Sequence, residues 1–401
     1  MDEVAGAFRE AHGPAVATLA RVFGDLTLAE DAVQEAFVAA LRHWPRQGIP
    51  SNPAGWIVTA ARNRALDEVR RAARGRELYG KLAVTESARA EERLEEAKIM
   101  RDDQMRLIFT CCHPALRVED QVALTLRLIA GLGVDQVARS FLVSESTMAK
   151  RLVRAKYKIR VAQIPYRIPD DAELPARLRA VLSVLYLIYN AGADDPLRGG
   201  LRSEAIRLAR VLADLMPDEP EALGLLALML LCEARVPAQI RHDDVVLLRE
   251  QDRTLWDQPL IRQGHELVRQ CIRSGHPGPF QLQAAIQAVH CDAARFEDTD
   301  WPQIMTLYDN LYDAMPTAVV AMNRAIALAE TAGPQVALAQ LDTLERDLAG
   351  YHLLHASRAT MLRRLGREEE AIHAFNLAIE LAPGARERGF LDRQRGASHW
   401  R

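Results

Sequence analysis

The chain has 401 residues, 49% of them hydrophobic, 26% charged and only 5% aromatic, a length and balance that exclude one small domain and a low-complexity chain and predict a soluble, mainly helical protein of two or three domains. A net charge of −3 hides an uneven distribution: residues 1–168 carry 26 Lys/Arg against 21 Asp/Glu, net +5, and residues 169–401 carry 25 against 33, net −8. The asymmetry points to a first part that faces nucleic acid and a second that is solvated or faces protein.

From Val4 to about Arg76, three segments carry helical apolar spacing, clearest at Leu28, Val33, Phe37 and Leu41, then at Trp56, Ile57, Ala60, Leu66 and Val69. Pro50, Ser51, Asn52 and Pro53 break the chain between the last two. Residues 77–100 are rich in Glu, Arg and Ala with few large apolar side chains, and read as a solvated linker or a weakly packed helix. A second helical cluster runs from Met105 to Ile164, and Pro165 and Pro169 bracket the next break. The expected domains are therefore 1–76, a linker at 77–100, 101–168, and 169–401.

The sharpest local signal lies between Gly133 and Lys158 and reads as a helix-turn-helix. Val137 and Ala138 belong on the inner face of its first helix, with Val143 in the turn. Ser144 is placed to cap the second helix by accepting from free N–H groups near Thr147. Met148, Leu152 and Ala155 then form the buried stripe, leaving Ser146, Thr147, Lys150, Arg151 and Arg154 outward. Six Lys/Arg and no acid lie between Thr147 and Arg160, a pattern suited to phosphates and guanine edges in the major groove. Leu142 stands where such turns often place Gly, so the turn either holds a left-handed leucine or differs slightly.

Beyond residue 168 the chain reads as helices punctuated by Pro and Gly, which makes internal repeats the thing to test. The test is positive near the end: Ala359 and Leu362, Gly366, then Ala371, Phe375, Ala378 and Pro383 have tetratricopeptide spacing. One period earlier lie Ala325, Ala337 and Leu341, and a third partial match comes from Ala205, Leu212, Pro217 and Ala227. Residues 235–300 fit poorly. The expectation is divergent tetratricopeptide-like stacking.

The succession Asp31-Ala-Val-Gln-Glu-Ala-Phe37, then Trp56 and Ala61-Arg-Asn-Arg-Ala-Leu-Asp-Glu-Val-Arg-Arg71, then a linker and this helix-turn-helix resembles regions two and four of extracytoplasmic-function (ECF) RNA polymerase sigma factors over about residues 8–164. The segment Val181–Asn190 and the repeats resemble the subgroup with a tetratricopeptide-like tail. The resemblance implies an all-α fold: a sigma region 2, a helix-turn-helix region 4 and a helical-repeat domain that modulates activity. It implies core RNA polymerase and promoter DNA as partners, with a protein or peptide ligand for the repeats. Asp31, Gln34 and Glu35 would bind a basic polymerase coiled coil. Trp56, Arg62, Asn63, Arg64, Asp67, Arg70 and Arg71 would read and hold the opened minus-10 element. Ser146, Thr147, Lys150, Arg151 and Arg154 would grip minus-35 duplex. Such a protein makes and breaks no covalent bond and needs no cofactor. The rival is a helix-turn-helix regulator with a repeat sensor, which leaves the first block unexplained.

Other signals are weak. The five cysteines are odd in number and Cys111 and Cys112 are adjacent, poor material for a disulfide framework and suited to a reducing cytoplasm. The beginning of the chain lacks a basic start and apolar run, and no stretch approaches the ~20 apolar residues of a membrane span. Cys111-Cys112-His113 lacks a second pair to complete a metal site. Cys271, His276, His290 and Cys291 match no common metal spacing, and His265-Glu-Leu-Val-Arg lacks the second histidine of a zinc protease. No phosphate loop or nucleophile elbow is present.

Overall fold

The computed structural model describes residues 2–50, 52–73, 91–192, 199–241, 244–273, 275 and 277–396. The chain divides into two compact units, Met1–Leu215 and Met216–Arg401.

The first unit begins with helices α1 (Asp2–Phe23), α2 (Leu26–Gln47) and α3 (Pro53–Ala73), which pack against one another pairwise. Asp25 caps α2 by accepting from the N–H groups of Thr27 and Leu28 at 2.7 and 3.2 Å. Gly48, at φ +84°, ends it in a conformation that favours glycine. Asn52 Oδ1 accepts from Gly55 N at 2.9 Å at the start of α3, and Pro53 sits in the first turn, where its missing N–H costs nothing. The shared core is rich in alanine: Ala11, Ala15 and Leu19 of α1, Val33, Ala36, Phe37 and Ala40 of α2, and Ile57, Ala61 and Ala65 of α3 are buried. Small residues at the crossings let the three helices approach closely.

Helix α4 (Glu91–Cys111) follows, then α5 (Val118–Leu124), which runs on into a π-helical turn at Thr125–Ile129, then α6 (Val134–Ser140) and α7 (Glu145–Val161). The expected linker at 77–100 thus contains the first turns of α4. Helix α1 packs on both α4 and the π-helical turn. Gly13 comes so close that a Cβ there would stand 2.8 Å from the Ile129 carbonyl oxygen, nearer than such atoms tolerate.

The unit is completed by α8 (Leu174–Ala191) and α9 (Gly199–Leu215), which pack on each other and on α4, with α8 also against α5. The compact unit therefore runs past the sequence boundary at 168. The physical cause is the aliphatic face of α8, where Leu178, Val181, Leu182, Leu185 and Ile188 are buried, about 1.5 to 3 kcal/mol for each such side chain taken from water. Arg177 also donates to the Phe109 carbonyl at 2.5 Å. Ala205 and Leu212 pack within α9 of this unit, whereas Ala227 lies in the next, so the third partial repeat match straddles the division.

The second unit opens with α10 (Pro220–Glu233), buried from Ala222 to Leu231 and apolar all round, as a central helix must be. It packs against α12 (Gln258–Ile272) and α13 (Pro279–Asp292). Between them lie α11 (Val236–Gln239), a two-residue antiparallel pairing of Ile240–Arg241 with Asp244–Val245, and two 3-10 turns. Arg253 tightens this irregular stretch by donating to the carbonyls of His290 and Ala293 at 2.8 and 2.6 Å, satisfying the end of α13. The remaining helices are α14 (Trp301–Ala314), α15 (Ala318–Thr331), α16 (Pro334–Thr343), α17 (Glu345–Leu348), α18 (His352–Arg364), α19 (Glu368–Leu381) and α20 (Ala385–Gly396). Ala325, Ala337, Leu341, Ala359, Leu362, Ala371, Phe375 and Ala378 all enter one core cluster, so the repeat spacing marks real helix–helix contacts. Gly366, at φ +74°, turns the chain between α18 and α19.

Candidate nucleic-acid interface

Helices α6 and α7 form the helix-turn-helix. Val137 and Ala138 are buried on α6, and Met148, Leu152, Ala155 and Ile159 form the inward stripe of α7. Ser144 Oγ accepts from Thr147 N at 3.2 Å. The turn uses the left-handed option: Leu142 adopts φ +53° and its side chain is 75% exposed, so no packing offsets the strain.

On the outer face of α7, Ser146, Thr147, Lys150 and Arg154 are exposed and Arg151 is half-buried. Ser146 Oγ and Thr147 Oγ1 lie 3.1 and 2.8 Å from Ser144 Oγ, so both hydroxyls sit in the cap network at the helix N-terminus, where the macrodipole favours anions. The Arg151 guanidinium stacks over Phe141 at 5.2 Å, which orders it at the edge of the turn. Arg154 Nε donates to the Lys150 carbonyl at 3.3 Å.

On α3, Asn63, Arg64, Asp67 and Arg70 are exposed and Arg62 is half-exposed. Arg70 and Asp67 lie 3.9 Å apart along one face. Trp56 is half-buried and meets the buried Trp44 in a T-shaped contact at 5.5 Å, so the residue is partly packed and partly open. The side chain of Arg71 lies outside the described residues. On α2, Asp31 and Glu35 are exposed and Gln34 is half-buried. Glu35 comes within 3.9 Å of Arg64, an exposed pair worth little energetically but one that sets the α2 and α3 faces side by side.

Sequence reasoning missed the strongest charge cluster. Glu30 of α2 is buried and accepts from Arg127 Nε at 2.6 Å, from Lys156 Nζ at 2.7 Å and from Gln34 Nε2 at 2.9 Å. Burial pushes its carboxyl up, but Lys156 and Arg127 pull it further the other way and hold it below the usual carboxylate range. Asp31 moves upward through burial and the neighbouring Glu30 charge. A similar carboxylate, Asp103 of α4, is fully buried against Arg21 of α1 and Arg106, at 2.9 and 2.6 Å.

Cys111 and Cys112 are free, buried thiols, with Cys112 pushed up to about 12 by burial. Cys271 Sγ lies 3.4 Å from the Pro220 carbonyl. His276 lies outside the described residues, and no cluster of three metal-ligating side chains occurs among the described ones. No described helix is long and apolar enough to cross a membrane.

A helix-turn-helix with a cationic outer face, joined to a three-helix unit whose second and third helices expose acidic and polar-cationic faces, defines a transcription-initiation protein of the sigma-70 class. The matches agree: residues 8–75 match Sigma-70 region 2, residues 106–159 match Sigma-70, region 4, and residues 177–272 match a family of unknown function, DUF6596. An uncharacterized protein of Rhizobium meliloti (strain 1021) is 43% identical over 391 residues, 95% of this chain and 92% of that one. The probable ECF RNA polymerase sigma factor SigI of Mycobacterium tuberculosis (strain ATCC 25618 / H37Rv) is 31% identical over 199 residues, 49% of this chain and 66% of SigI. The ECF RNA polymerase sigma factor SigL of Mycobacterium tuberculosis (strain ATCC 35801 / TMC 107 / Erdman) is 31% identical over 143 residues, 35% of this chain and 77% of SigL. The chain belongs to the ECF RNA polymerase sigma factors. It is a promoter-recognising subunit that binds core RNA polymerase and carries out no catalysis of its own.

Proposed function

We propose that α7 reads the minus-35 duplex through Ser146, Thr147, Lys150, Arg151 and Arg154. In the same reading, α3 captures the opened minus-10 strand. Arg62, Arg64, Arg70 and Arg71 hold its backbone, Asn63 and Asp67 hydrogen-bond to unpaired base edges, and the open part of Trp56 offers a ring to one base. Asp31, Gln34 and Glu35 of α2 contact a basic element of core polymerase. The protein works in the cytoplasm, with the polymerase it directs. The observation that carries the reading is that Lys150, Arg154, Lys158 and Arg160, within the acid-free stretch from Thr147 to Arg160, are exposed on a capped helix that is anchored by Met148, Leu152, Ala155 and Ile159.

Opening DNA needs no chemistry from such a protein. Duplex contacts by α7 fix register, and pairing of flipped or unstacked bases with α3 makes the melted state lower in free energy than the closed duplex. The test is binding of polymerase holoenzyme to a fork-junction DNA with an unpaired minus-10 strand. The intact chain should prefer the fork over full duplex, and Asn63→Ala with Asp67→Ala should erase that preference while duplex affinity stays. An undiminished preference for the fork in that variant contradicts the α3 assignment.

The second unit is proposed to modulate initiation through a protein or peptide held on its stacked helices, as helical repeats commonly do. A chain ending at Leu215 tests this in transcription. Lost output marks a required domain and raised output an inhibitory one, while unchanged output contradicts modulation.

A further inference from the structure

The two DNA-reading helices belong to segments that pack into one compact unit in the free chain, and the seam between them is ionic. Region 2 meets region 4 at several places. Gly13 of α1 abuts the Ile129 carbonyl. Arg21 of α1 pairs with the buried Asp103 of α4. Glu30 of α2 binds both Arg127 of the π-helical turn and Lys156 of α7. Tyr166, just beyond α7, adds a hydroxyl that donates to the Ala17 carbonyl at 2.7 Å.

Two features set this seam apart from an ordinary core. Its carboxylates are buried, and buried ion pairs contribute more to register than to net stability, because desolvation offsets their attraction. It also borders solvent. A half-open groove of about 340 Å³ runs along it, lined by Asp25, Leu26, Thr27, Val153, Lys156 and Tyr157 among others.

Glu30 is also where the seam touches the polymerase face. One of its oxygens takes Gln34, a member of the proposed polymerase contact, and the other takes Lys156 from the minus-35 helix. The next residue, Asp31, is drawn into the same field. A basic polymerase element approaching Asp31, Gln34 and Glu35 therefore meets a cation of the chain's own α7 already in place.

We infer that Glu30 is an intramolecular latch: by holding Arg127 and Lys156 it keeps region 4 docked on region 2, and core polymerase must displace α7 from beside α2 to engage that face. The latch lowers apparent affinity for polymerase, because only the undocked fraction binds at full strength. This rests on the α2 contact proposed above.

The experiment measures affinity of the full chain for core polymerase without DNA, so that any weakening of minus-35 binding is silent. Lys156→Met removes one arm and leaves the Glu30–Arg127 pair. It should bind core roughly threefold or more tightly, since apparent affinity scales with the competent fraction. Its α2 and α7 amides should exchange hydrogen faster in the free chain. Lys156→Arg, which keeps the pair, should behave as the parent. If Lys156→Met does not fold, Glu30→Gln, which discharges both ion pairs at constant shape, must shift affinity in the same direction. Asp31→Lys with Glu35→Lys should weaken core binding. If that pair has no effect, the α2 contact and the latch fall together. If it weakens binding while folded Lys156→Met binds no better than the parent, the latch alone is overturned.

Discussion

Leu142 carries a cost that no neighbour repays. It sits at φ +53° and is three-quarters exposed, where an L side chain is about 1 kcal/mol or more worse than glycine. Leu142→Gly should stabilise the first unit by about 1 kcal/mol, read as a raised denaturation midpoint, and an unchanged or lowered midpoint would show that the turn is held some other way. His12 is the opposite case, a residue whose environment fixes its charge state. It is fully buried, stacked near Phe37, and its imidazole is lowered from 6.5 to about 4 by burial and then by Arg127. A base whose folded value lies below its unfolded value is neutral and harmless above pH 6.5. As pH falls from 6.5 to about 4, the unfolded chain gains a proton that the folded chain refuses, and stability drops by about 3 kcal/mol. His12→Asn should therefore flatten the pH dependence of first-unit stability across that window, and an equally steep loss in the variant would contradict it.

At the scale of elements, α7 was legible because everything that makes it is local. Its cap residue, Ser144, its inward stripe and its outward cations lie within about four turns, and a 3.6-residue period sorts them without knowledge of the rest of the chain. The same holds for α1 to α3, where Pro and Gly end each apolar run, and for the small-residue pattern of α18 and α19. Glu30 was not legible. Its partners are 97 and 126 residues away, and on an acidic helix surface it looks like its exposed neighbours Asp31 and Glu35. The extent of the first compact unit was hidden for a related reason. Pro165 and Pro169 do break a helix, but a local break says nothing about where the next helix buries its aliphatic face, and α8 buries it on α4 and α5. The outward row of α7 carries a prediction at this scale. Lys150→Ala and Arg154→Ala should each weaken duplex binding across sequences and flatten the log–log salt dependence by about one unit for each phosphate left without its cation. Titrations of the first unit's DNA binding at several salt concentrations measure this, and an unchanged slope would place these cations away from phosphate.

For the whole molecule, charge and architecture divide the labour. The net-positive part of the chain contains both helices proposed to contact DNA, and the net-negative part supplies mostly helical repeats. The family assignment rests on the first unit, and the DUF6596 match begins inside that unit and continues into the second. The central claim is that one chain reads two promoter elements on behalf of polymerase. Its most direct test is transcription in vitro by core RNA polymerase and the purified chain over a library of random promoter sequences. Initiation is expected only with the chain present, from templates enriched in two conserved blocks at fixed separation, with the upstream block lost in Arg151→Ala and the downstream block in Asn63→Ala. Duplex binding without initiation, or enrichment of a single block, would contradict it.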